Sequence, residues 1–504
     1  MASSTSQSQE LEGSTSSSGS VSTLSEASSS QGSTTEGNSS VAPVVSNSSD
    51  ASESCDAVSN PVVLETSSLE ELNSAPNFIG AQLLEEPAPG LDDQSLSLDK
   101  EILHSAGCSC AVCQGDLSDR ILKASDGSED SLAATYGTGT LNQLADYLET
   151  GFWSDWGEVS RNFNLSSTGT SPNSGVLTYN TSGNSQDSNG LNDPDRASLV
   201  DEAFKLFEAT LGIDFQLTTA SGSDFRFGDA AAGAYASYSR SGSTINYANI
   251  NINDSWNGWI DGFGNYTFQT VLHEIGHGLG LGHQSNYNGS ATYPTDADFT
   301  NDSWQASMMS YFSPTDNTSI DASFAYLSTP MVADWIALDE IYSDQGYGIA
   351  NAFSGDTTYG FNTTISAATS GIFNELKDWI PTTAFTVVDG GGDDTLDFSG
   401  FPDAQLIDLR PSDASATNVY ASNIAGKTGN LTIAPGTLIE AAIGGSGNDE
   451  IRGNASNNQL DGGLGTDTAL FSGSYSDYSF LVVGNNLKVS DLRSGSPDGV
   501  DTLS

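Results

Sequence analysis

Three histidines stand close together in the middle of the chain, at spacings that suit a single metal ion. They are His273, His277 and His283, in the run HEIGHGLGLGH, and the chain has four histidines in all. On a helix, positions i and i+4 share a face, so His273 and His277 can direct their imidazoles at one point. Zn²⁺ binds such nitrogens at ~2.0–2.1 Å.

The residues around these histidines favour a catalytic zinc site over a structural one. Gly280 can adopt a positive φ, which would end the helix and turn the chain back so that His283 supplies a third nitrogen. Three protein ligands leave the fourth position open for water. Glu274 points away from the His273 vector, so it would lie beside the metal and take a proton from that water.

The alternative is that these histidines are ordinary core or surface residues. A single histidine on a helix usually is one. Here, however, three of the four histidines fall within eleven residues, with the glutamate and the turn glycine also in place. A motif of this length strongly favours the metal site.

Apolar periodicity predicts the elements that position the motif. One helix is predicted at about 267–279, with this apolar face: Phe268, Val271, Leu272, Ile275 and Leu279. An earlier helix should begin at Asp195 as N-cap and stop at Gly212. Alternating apolar residues predict strands at 213–217 and 245–252, the second with a change of phase. Helical periodicity returns at 333–342, and together these elements indicate an α/β or α+β domain.

A nine-residue repeat follows in the last third of the chain, where Gly, Asp and Asn dominate. The units are Gly444–Arg452, Gly453–Asp461 and Gly462–Leu470. Repeats of the form G-G-x-G-x-D-x-apolar-x build parallel β-rolls that bind Ca²⁺. The alternative is a flexible Gly/Asp-rich linker, which the periodic apolar residues Ile451, Leu460 and Leu470 argue against.

Two repeat units make one coil of such a roll, so turns 18 residues apart should stack on one edge. Turns 444–449 and 462–467 have this separation and should hold Ca²⁺ between them through backbone carbonyls and carboxylates. The predicted ligands are Gly444, Gly445, Gly447, Asp449, Gly462, Gly463, Gly465 and Asp467. The middle unit lacks the aspartate and predicts a weaker site. Because the clustered carboxylates repel each other without a cation, we expect this region to fold on binding calcium.

The sequence Ser307-Met308-Met309-Ser310-Tyr311 follows the histidine motif. Together the two resemble the metzincin signature, and the S-x-M-S-Y turn resembles that of the serralysin family. On that resemblance Met309 is the Met-turn methionine beneath the zinc, and Tyr311 ligates zinc or stabilises the oxyanion. The alternatives are core filling by Met309 and a packed surface aromatic at Tyr311.

The serralysin resemblance covers about residues 131–504 and implies an α+β architecture. A zincin-like catalytic domain (131–350), with a twisted sheet and an active-site helix, would precede an all-β parallel β-roll (351–504). The resemblance adds calcium ligands near the domain junction and one beyond it: Gly355, Thr357, Asp389, Gly391, Gly392, Asp394 and Glu440. Relatives usually carry more repeats, and the chain stops abruptly for this family at Ser504, so a truncated roll is a further expectation.

The same resemblance implies a function. It implies a secreted zinc-dependent endopeptidase of broad specificity, with one catalytic Zn²⁺, several structural Ca²⁺ ions and protein or peptide substrates. Export would use a type I system that reads a C-terminal signal, and we expect a monomer. The competing hypothesis is a calcium-binding surface or adhesion protein with an inert zincin domain, which would be expected to have lost Glu274 or a histidine. Another kind of zinc hydrolase would not explain the Met-turn.

The first 130 residues differ from the rest. Residues 1–74 are rich in Ser and Thr and are predicted to be disordered, while 75–130 is interpreted as a propeptide. The latter contains a cysteine cluster: Cys108, Cys110 and Cys113. The cluster could form a disulfide or simple thiols, a metal clip with His104, or a latency switch whose thiolate takes the open zinc position. Its location favours the switch, but the spacing does not decide.

The charge of the chain limits the classes of partner it could bind, and its N-terminal sequence limits the routes by which it could be exported. The net charge of −51, from 65 acidic and 14 basic residues, argues against binding to nucleic acid or anionic membranes. No apolar run approaches the ~18 residues of a membrane helix. The N-terminus lacks a secretory signal pattern, so the protein would either stay inside the cell or leave by a route that does not read such a signal.

Overall fold

The computed structural model describes residues 136–504, apart from 184–186, 192, 257 and 260–261, together with the backbone of Val62–Leu64. The predicted disordered segment, the propeptide and its three cysteines lie outside these residues, except for that short strand. In the described part, no helix combines the length and apolar character needed to cross a membrane.

The helices and strands alternate in the first half of this region, and strands dominate the second half. The helices are α1 Leu141–Asp146, α2 Phe152–Asp155, α3 Pro194–Leu211, α4 Tyr266–Leu279, α5 Val332–Tyr342, α6 Gly371–Asn374 and α7 Leu376–Trp379. The strands are β1 Val62–Leu64, β2 Val176–Asn180, β3 Asp214–Leu217, β4 Phe225–Gly228, β5 Ala234–Ser241, β6 Thr244–Ile252, β7 Tyr326–Leu327, β8 Thr358–Gly360, β9 Thr383–Val387, β10 Thr395–Asp397, β11 Leu406–Asp408, β12 Ala421–Ser422, β13 Leu431–Ile433, β14 Ala441–Ile443, β15 Glu450–Arg452, β16 Gln459–Asp461, β17 Thr468–Phe471, β18 Tyr478–Val483, β19 Asn486–Asp491 and β20 Val500–Leu503.

A five-stranded sheet supports the histidine helix. Its order is β3-β2-β4-β6-β5, with parallel neighbours except for β5, which runs antiparallel to β6 at one edge. Helix α4 packs closely on this sheet because Gly278 has no side chain where Phe225 of β4 and Ile250 of β6 approach. The hydroxyl of Tyr238 on β5 donates to the carbonyl oxygen of His277 at 2.6 Å. Edge strand β5 therefore lies directly beside the histidines.

Helix α3 starts earlier than predicted. The N-cap is Asp193, whose side chain accepts from the amide of Asp195 at 2.9 Å, so Asp195 itself lies in the first turn. Pro194 explains the difference, because proline favours the first helical position and moves the cap to the residue before it. The predicted stop is confirmed, since Gly212 adopts a φ of 73°.

The other predicted elements are present with small differences. Helix α4 begins at Tyr266 after the N-cap Asn265, and α5 covers the last predicted helix. Strand β6 matches the prediction, but β3 alternates only in part, because the Leu217 side chain is 60% exposed. The α+β arrangement of the catalytic region is therefore confirmed.

The repeat region forms a parallel roll with the predicted period. Strands β14 to β17 start nine residues apart, and pairing joins residues 18 apart, such as Ala442 with Leu460 and Ile451 with Ala469. The residue equivalent to Ile451 is thus Ala469, one position before the predicted Leu470. The roll ends in antiparallel strands β18 to β20, of which β20 pairs with β16.

The two regions are closely joined. Strand β7, which follows the Met-turn, pairs in parallel with β9. At the start of α1, the amides of Leu141 and Asn142 donate to the carbonyl oxygens of Ala416 and Ala414, each at 2.8 Å. The catalytic region and the roll therefore share a sheet and backbone hydrogen bonds.

Candidate metal centre and active site

The three predicted zinc ligands converge at one buried point. His273 and His277 project from α4, and each of the three histidines offers a ring nitrogen within 4.8 Å of the other two. In the part of the chain that the structure describes, no other group of three or more His, Cys, Asp or Glu residues meets this spacing. The three imidazoles can therefore hold one metal ion.

Hydrogen bonds orient two of these rings for a metal. Nδ1 of His273 lies 2.9 Å from the carbonyl oxygen of Met308, and Nδ1 of His277 lies 2.8 Å from that of Leu281. A carbonyl only accepts, so each Nδ1 carries the proton and each Nε2 presents a lone pair. Nε2 of His277 lies 3.1 Å from Nε2 of His283, a contact between ring nitrogens that a bound cation would stabilise.

Burial keeps the three imidazoles neutral. It lowers the pKa of His273 to about 4. It also lowers the pKa values of His277 and His283 well below their usual range, and repulsion from neighbouring histidines adds to the effect at these two rings. Neutral imidazole is the form that binds metal. The donor set, its protonation and its spacing all fit Zn²⁺.

Gly280 ends α4 as predicted and turns the chain toward His283. Its φ is 120°, and a Cβ there would overlap the carbonyl oxygen of Arg161. The turn is held from outside, because the indole of Trp153 donates to the Gly280 carbonyl at 2.9 Å and the Gly282 amide donates to Leu148 at 2.7 Å. Only glycine fits both the backbone conformation and the close approach.

Glu274 lies at the base of a cleft of about 570 Å³. Its side chain is fully buried, and neither carboxylate oxygen has a hydrogen-bond partner among the described residues. Burial raises the pKa of this carboxyl well above its usual range. A buried carboxyl group is costly unless a further group satisfies it.

The Met-turn lies under the histidines. Met309 is fully buried, and the absence of a side chain at Gly276 lets Met308 and Met309 approach α4. The turn is fixed by Asp334 of α5. Asp334 accepts from the Ser307 hydroxyl and the Met308 amide, each at 2.6 Å, and from the Met331 amide at 2.8 Å. The Met308 carbonyl, which orients His273, therefore lies in a turn that Asp334 holds in place.

Tyr311 lies beside the three histidines. Its ring centroid lies 4.7 Å from that of His283, and it lines the cleft with His273 and Glu274. The amide of Gly289 approaches its hydroxyl at 3.4 Å. The Tyr311 ring therefore lies against His283 in the wall of the cleft.

Two buried aspartates of this site have no counterpart among the predicted residues. They are Asp334 and Asp302, and burial raises the pKa of each to about 7, while hydrogen-bond donors favour the ionised form. Asp334 carries a weak sequence signal, since it is an acid inside the apolar run Val332–Leu338. Asp302 carries none.

The predicted calcium turns stack as expected. The Asp449 carboxylate accepts from the Gly445 amide at 2.6 Å, and the Asp449 amide donates to Asp467 at 3.0 Å. A further layer, absent from the prediction, lies on the other side of this stack. There the Gln405 amide donates to Asp449 at 2.8 Å, and a Cβ at Gly445 would overlap the Phe401 carbonyl. The glycines thus bring carbonyls and carboxylates within contact distance.

The other predicted glycines of this stack also lie at close approaches of backbone. A Cβ at Gly463 would overlap the Gly445 carbonyl, and one at Gly465 would overlap that of Gly447. Gly444 and Gly462 pack against the Asp449 and Asp467 side chains, respectively. The whole predicted set is therefore brought to one edge of the roll.

A second acidic cluster forms at the junction. The Thr357 amide donates to Asp394 at 2.7 Å, and the Asp394 amide donates to Glu440 at 3.0 Å. The Gly391 amide and the Tyr359 hydroxyl each donate to Asp389 at 2.8 Å.

One oxygen of this junction cluster is left over. Oδ2 of Asp394 is buried and has no partner among the described residues. Gly392 lies close to both the Gly355 carbonyl and the Asp394 carboxyl, since a Cβ there would overlap each of them. This oxygen-rich, partly unsatisfied donor set fits Ca²⁺.

In the middle repeat unit, asparagine side chains hydrogen-bond the turn in place of a cation-binding aspartate. Asn458 accepts from the Asn454 amide at 2.8 Å, as Asp449 does from Gly445 four residues before it. Its NH₂ group donates to the carbonyl oxygens of Ile439 and Glu440 at 3.2 and 3.4 Å. Where a cation would bridge carbonyls, this edge therefore has a hydrogen-bond donor.

Comparisons with known proteins give two family matches. The profile described as Met-zincin matches residues 263–335, which include the three histidines and the Met-turn. The profile described as Peptidase M10 serralysin C terminal matches residues 350–501.

Curated relatives point the same way. The chain is 40% identical over 207 residues to metallopeptidase AprA of Pseudomonas marginalis, covering 39% of each chain. It is 39% identical over 243 residues to metalloprotease AprA of Pseudomonas entomophila, covering 46% of each. It is 40% identical over 206 residues to serralysin of Photorhabdus luminescens, covering 40% of this chain and 38% of the relative. The matched part thus spans less than half the length of these relatives. Over these two matched regions, therefore, the chain is similar to the serralysin-like metzincins.

Proposed function

We propose that the protein is a secreted, zinc-dependent endopeptidase in which His273, His277 and His283 bind the metal. One observation carries the proposal: three neutral imidazoles converge beside a buried carboxylate without partners, at the base of an open cleft. The names of the relatives, metallopeptidase and serralysin, support it. The competing adhesion protein with an inert domain is less well supported, since every residue of the motif is retained.

The residues divide the work of peptide hydrolysis. Zinc, when bound, lowers the pKa of water and polarises the scissile carbonyl. A cation held by the three histidines would lower the pKa of the Glu274 carboxyl again, and in its ionised form Glu274 takes the proton of the attacking water and returns it to the leaving nitrogen. Tyr311 donates a hydrogen bond to the oxygen that gains negative charge. Met308 and Leu281 keep two imidazoles in the required tautomer through their carbonyls.

Edge strand β5 is positioned to bind the backbone of a substrate peptide. Among the described strands it pairs with β6 alone, and Ala234 at its start lines the cleft. An extended peptide can add to such an edge through main-chain hydrogen bonds, which place little demand on sequence. We therefore expect unfolded proteins and flexible segments to be the preferred substrates.

The roll is proposed to bind Ca²⁺ at two places. Turns 444–449 and 462–467 would supply the stacked edge, and the cluster around Asp389, Asp394 and Glu440 would supply the junction site. Calcium would offset the repulsion of these carboxylates. We also propose a zinc domain at 131–350 and a calcium domain at 351–504, with export through a type I route.

The variant Glu274→Gln tests the proposed chemistry. Glutamine keeps the shape but cannot take a proton, so casein hydrolysis should fall by a factor of about 10²–10⁴. Zinc content should stay at one per chain. Glu340→Gln, on α5 and away from the motif, is the control and should keep full activity. Equal hydrolysis by wild type and Glu274→Gln would overturn the proposed role.

A further inference from the structure

Tyr287 lies between the third histidine and the Met-turn. Its side chain is fully buried, and its ring stacks on Tyr311 with centroids 4.5 Å apart and planes inclined by 27°. The centroid of His283 is 5.7 Å away. Tyr287 therefore contacts the one aromatic ring that reaches into the metal centre from the Met-turn.

The hydroxyl of Tyr287 holds the backbone of Tyr311. It accepts from the Tyr311 amide at 3.0 Å and donates to the Asp302 carboxylate at 3.1 Å. A hydroxyl has one hydrogen. In the ionised form, which its hydrogen-bond donors favour, the Asp302 carboxylate can only accept. This hydrogen then goes to Asp302, and a lone pair is left for the Tyr311 amide.

Asp302 is itself fixed in place. It is fully buried and accepts from the Ser285 hydroxyl at 2.6 Å, two residues after His283. The Ser285 hydroxyl in turn accepts from the Asp298 amide at 2.9 Å. One carboxylate thus ties the segment after His283 to the Met-turn.

Core filling does not explain this arrangement. A phenylalanine would occupy the same space as Tyr287 and would stack equally well on Tyr311. Burying a hydroxyl and a carboxylate is costly unless each is satisfied, and here the hydrogen bonds end on the backbone of Tyr311. We propose that Asp302 and Tyr287 are positioning residues, which set the Tyr311 ring over His283 and aim its hydroxyl into the cleft.

The variant Tyr287→Phe tests this proposal through hydrogen exchange. It keeps the stacked ring but removes the acceptor of the Tyr311 amide, so exchange of that amide should accelerate by about tenfold or more. The measurement is amide exchange resolved at Tyr311, in zinc-free and zinc-loaded protein. Tyr293→Phe is the matched control, because its hydroxyl donates to the Thr300 carbonyl at 3.1 Å in the same cluster.

A kinetic arm rests on the proposed peptidase function. In Tyr287→Phe, kcat for a peptide should fall by about tenfold with KM changed by less than about twofold, because the loss lies in transition-state stabilisation. In a Tyr311→Phe background the same change should cost less than about twofold, since the positioned hydroxyl is already gone. Tyr293→Phe should match wild type.

The outcomes separate the two proposals. A wild-type protein without peptidase activity contradicts the proposed function, while the exchange measurement still decides the positioning role. Unchanged exchange at Tyr311 in Tyr287→Phe overturns that role, as does an equal loss of kcat with and without the Tyr311 hydroxyl. If Tyr287→Phe does not fold, Asp302→Asn should accelerate Tyr311 exchange in the same direction, and unchanged exchange there overturns it equally.

Discussion

At the scale of single residues, the candidate metal centre depends on groups that never touch the metal. The carbonyl oxygens of Met308 and Leu281 accept from Nδ1 of His273 and His277, respectively, and so fix the tautomers of these two rings. Asp334 fixes the Met308 amide in turn. Ligand orientation by such partners commonly contributes a factor of 10–100 in metal affinity. The orientation of the metal-binding histidines therefore depends on the Met-turn and on Asp334.

Replacing Asp334 with alanine should loosen the zinc site. Three buried donors would lose their acceptor, which should lower the free energy of unfolding by about 3 kcal/mol or more. Zinc affinity should fall by about tenfold or more, because the Met308 carbonyl would lose its fixed position. Thermal unfolding and competition with a chelator measure the two effects.

Asp339→Ala is the control for this change. Asp339 lies on the same helix and accepts from the Ile349 amide at 3.0 Å, a partner outside the Met-turn. It should reduce stability without changing zinc affinity. Equal zinc affinity in Asp334→Ala and wild type would show that the turn does not depend on this carboxylate.

At the scale of elements, the two edges of the roll use different chemistry. The edge with Asp449 and Asp467 gathers carboxylates and carbonyls. The edge with Asn454 and Asn458 is closed by side-chain amides that donate to carbonyls. The first edge should therefore require calcium, and the second should hold its turn without it.

The variant Asn458→Asp should make the second edge sensitive to calcium. It removes the donor to the Ile439 and Glu440 carbonyls and adds a charge near Asp501, whose carboxylate accepts from the Asn458 amide. In chelator, the free energy of unfolding should fall by about 1–3 kcal/mol, and added calcium should restore part of it. Calorimetry with and without calcium measures this.

Asn457→Asp is the matched control for the second edge. The Asn457 side chain accepts from the Val500 amide at 2.9 Å, and aspartate can accept equally well. Its stability should remain near wild type in chelator. If Asn458→Asp were as stable in chelator as this control, the Asn458 side-chain amide would not be what stabilises the second edge.

Local patterns predict some of these elements and not others. Helix α4, the turn at Gly280 and the nine-residue strands follow from short spacings in the sequence. Asp302 and Tyr287 do not, because their contacts join residues 15 to 24 positions apart and a lone aspartate has no period. The third layer at 401–405 is missed for a similar reason, since it lacks the G-G-x-G-x-D pattern.

At the scale of the whole molecule, the two regions are joined and strongly acidic. Strand β7, the next strand after the Met-turn, pairs with β9, so a cation bound in the roll can stabilise the framework of the zinc site. The net charge of −51 favours binding of cations throughout. The predicted latency switch at Cys108, Cys110 and Cys113 remains a prediction, and it concerns the same open zinc position.

Zinc K-edge X-ray absorption of the full chain shows whether the three histidines hold one zinc ion. We expect one zinc per chain with three imidazole nitrogens at ~2.0–2.1 Å and one further light ligand. A single sulfur in place of that ligand in the unprocessed chain would fit the latency switch. His283→Ala should lose most of the metal. Two or more sulfur ligands at ~2.3 Å, or an unchanged spectrum in His283→Ala, would show that the three histidines do not hold the zinc.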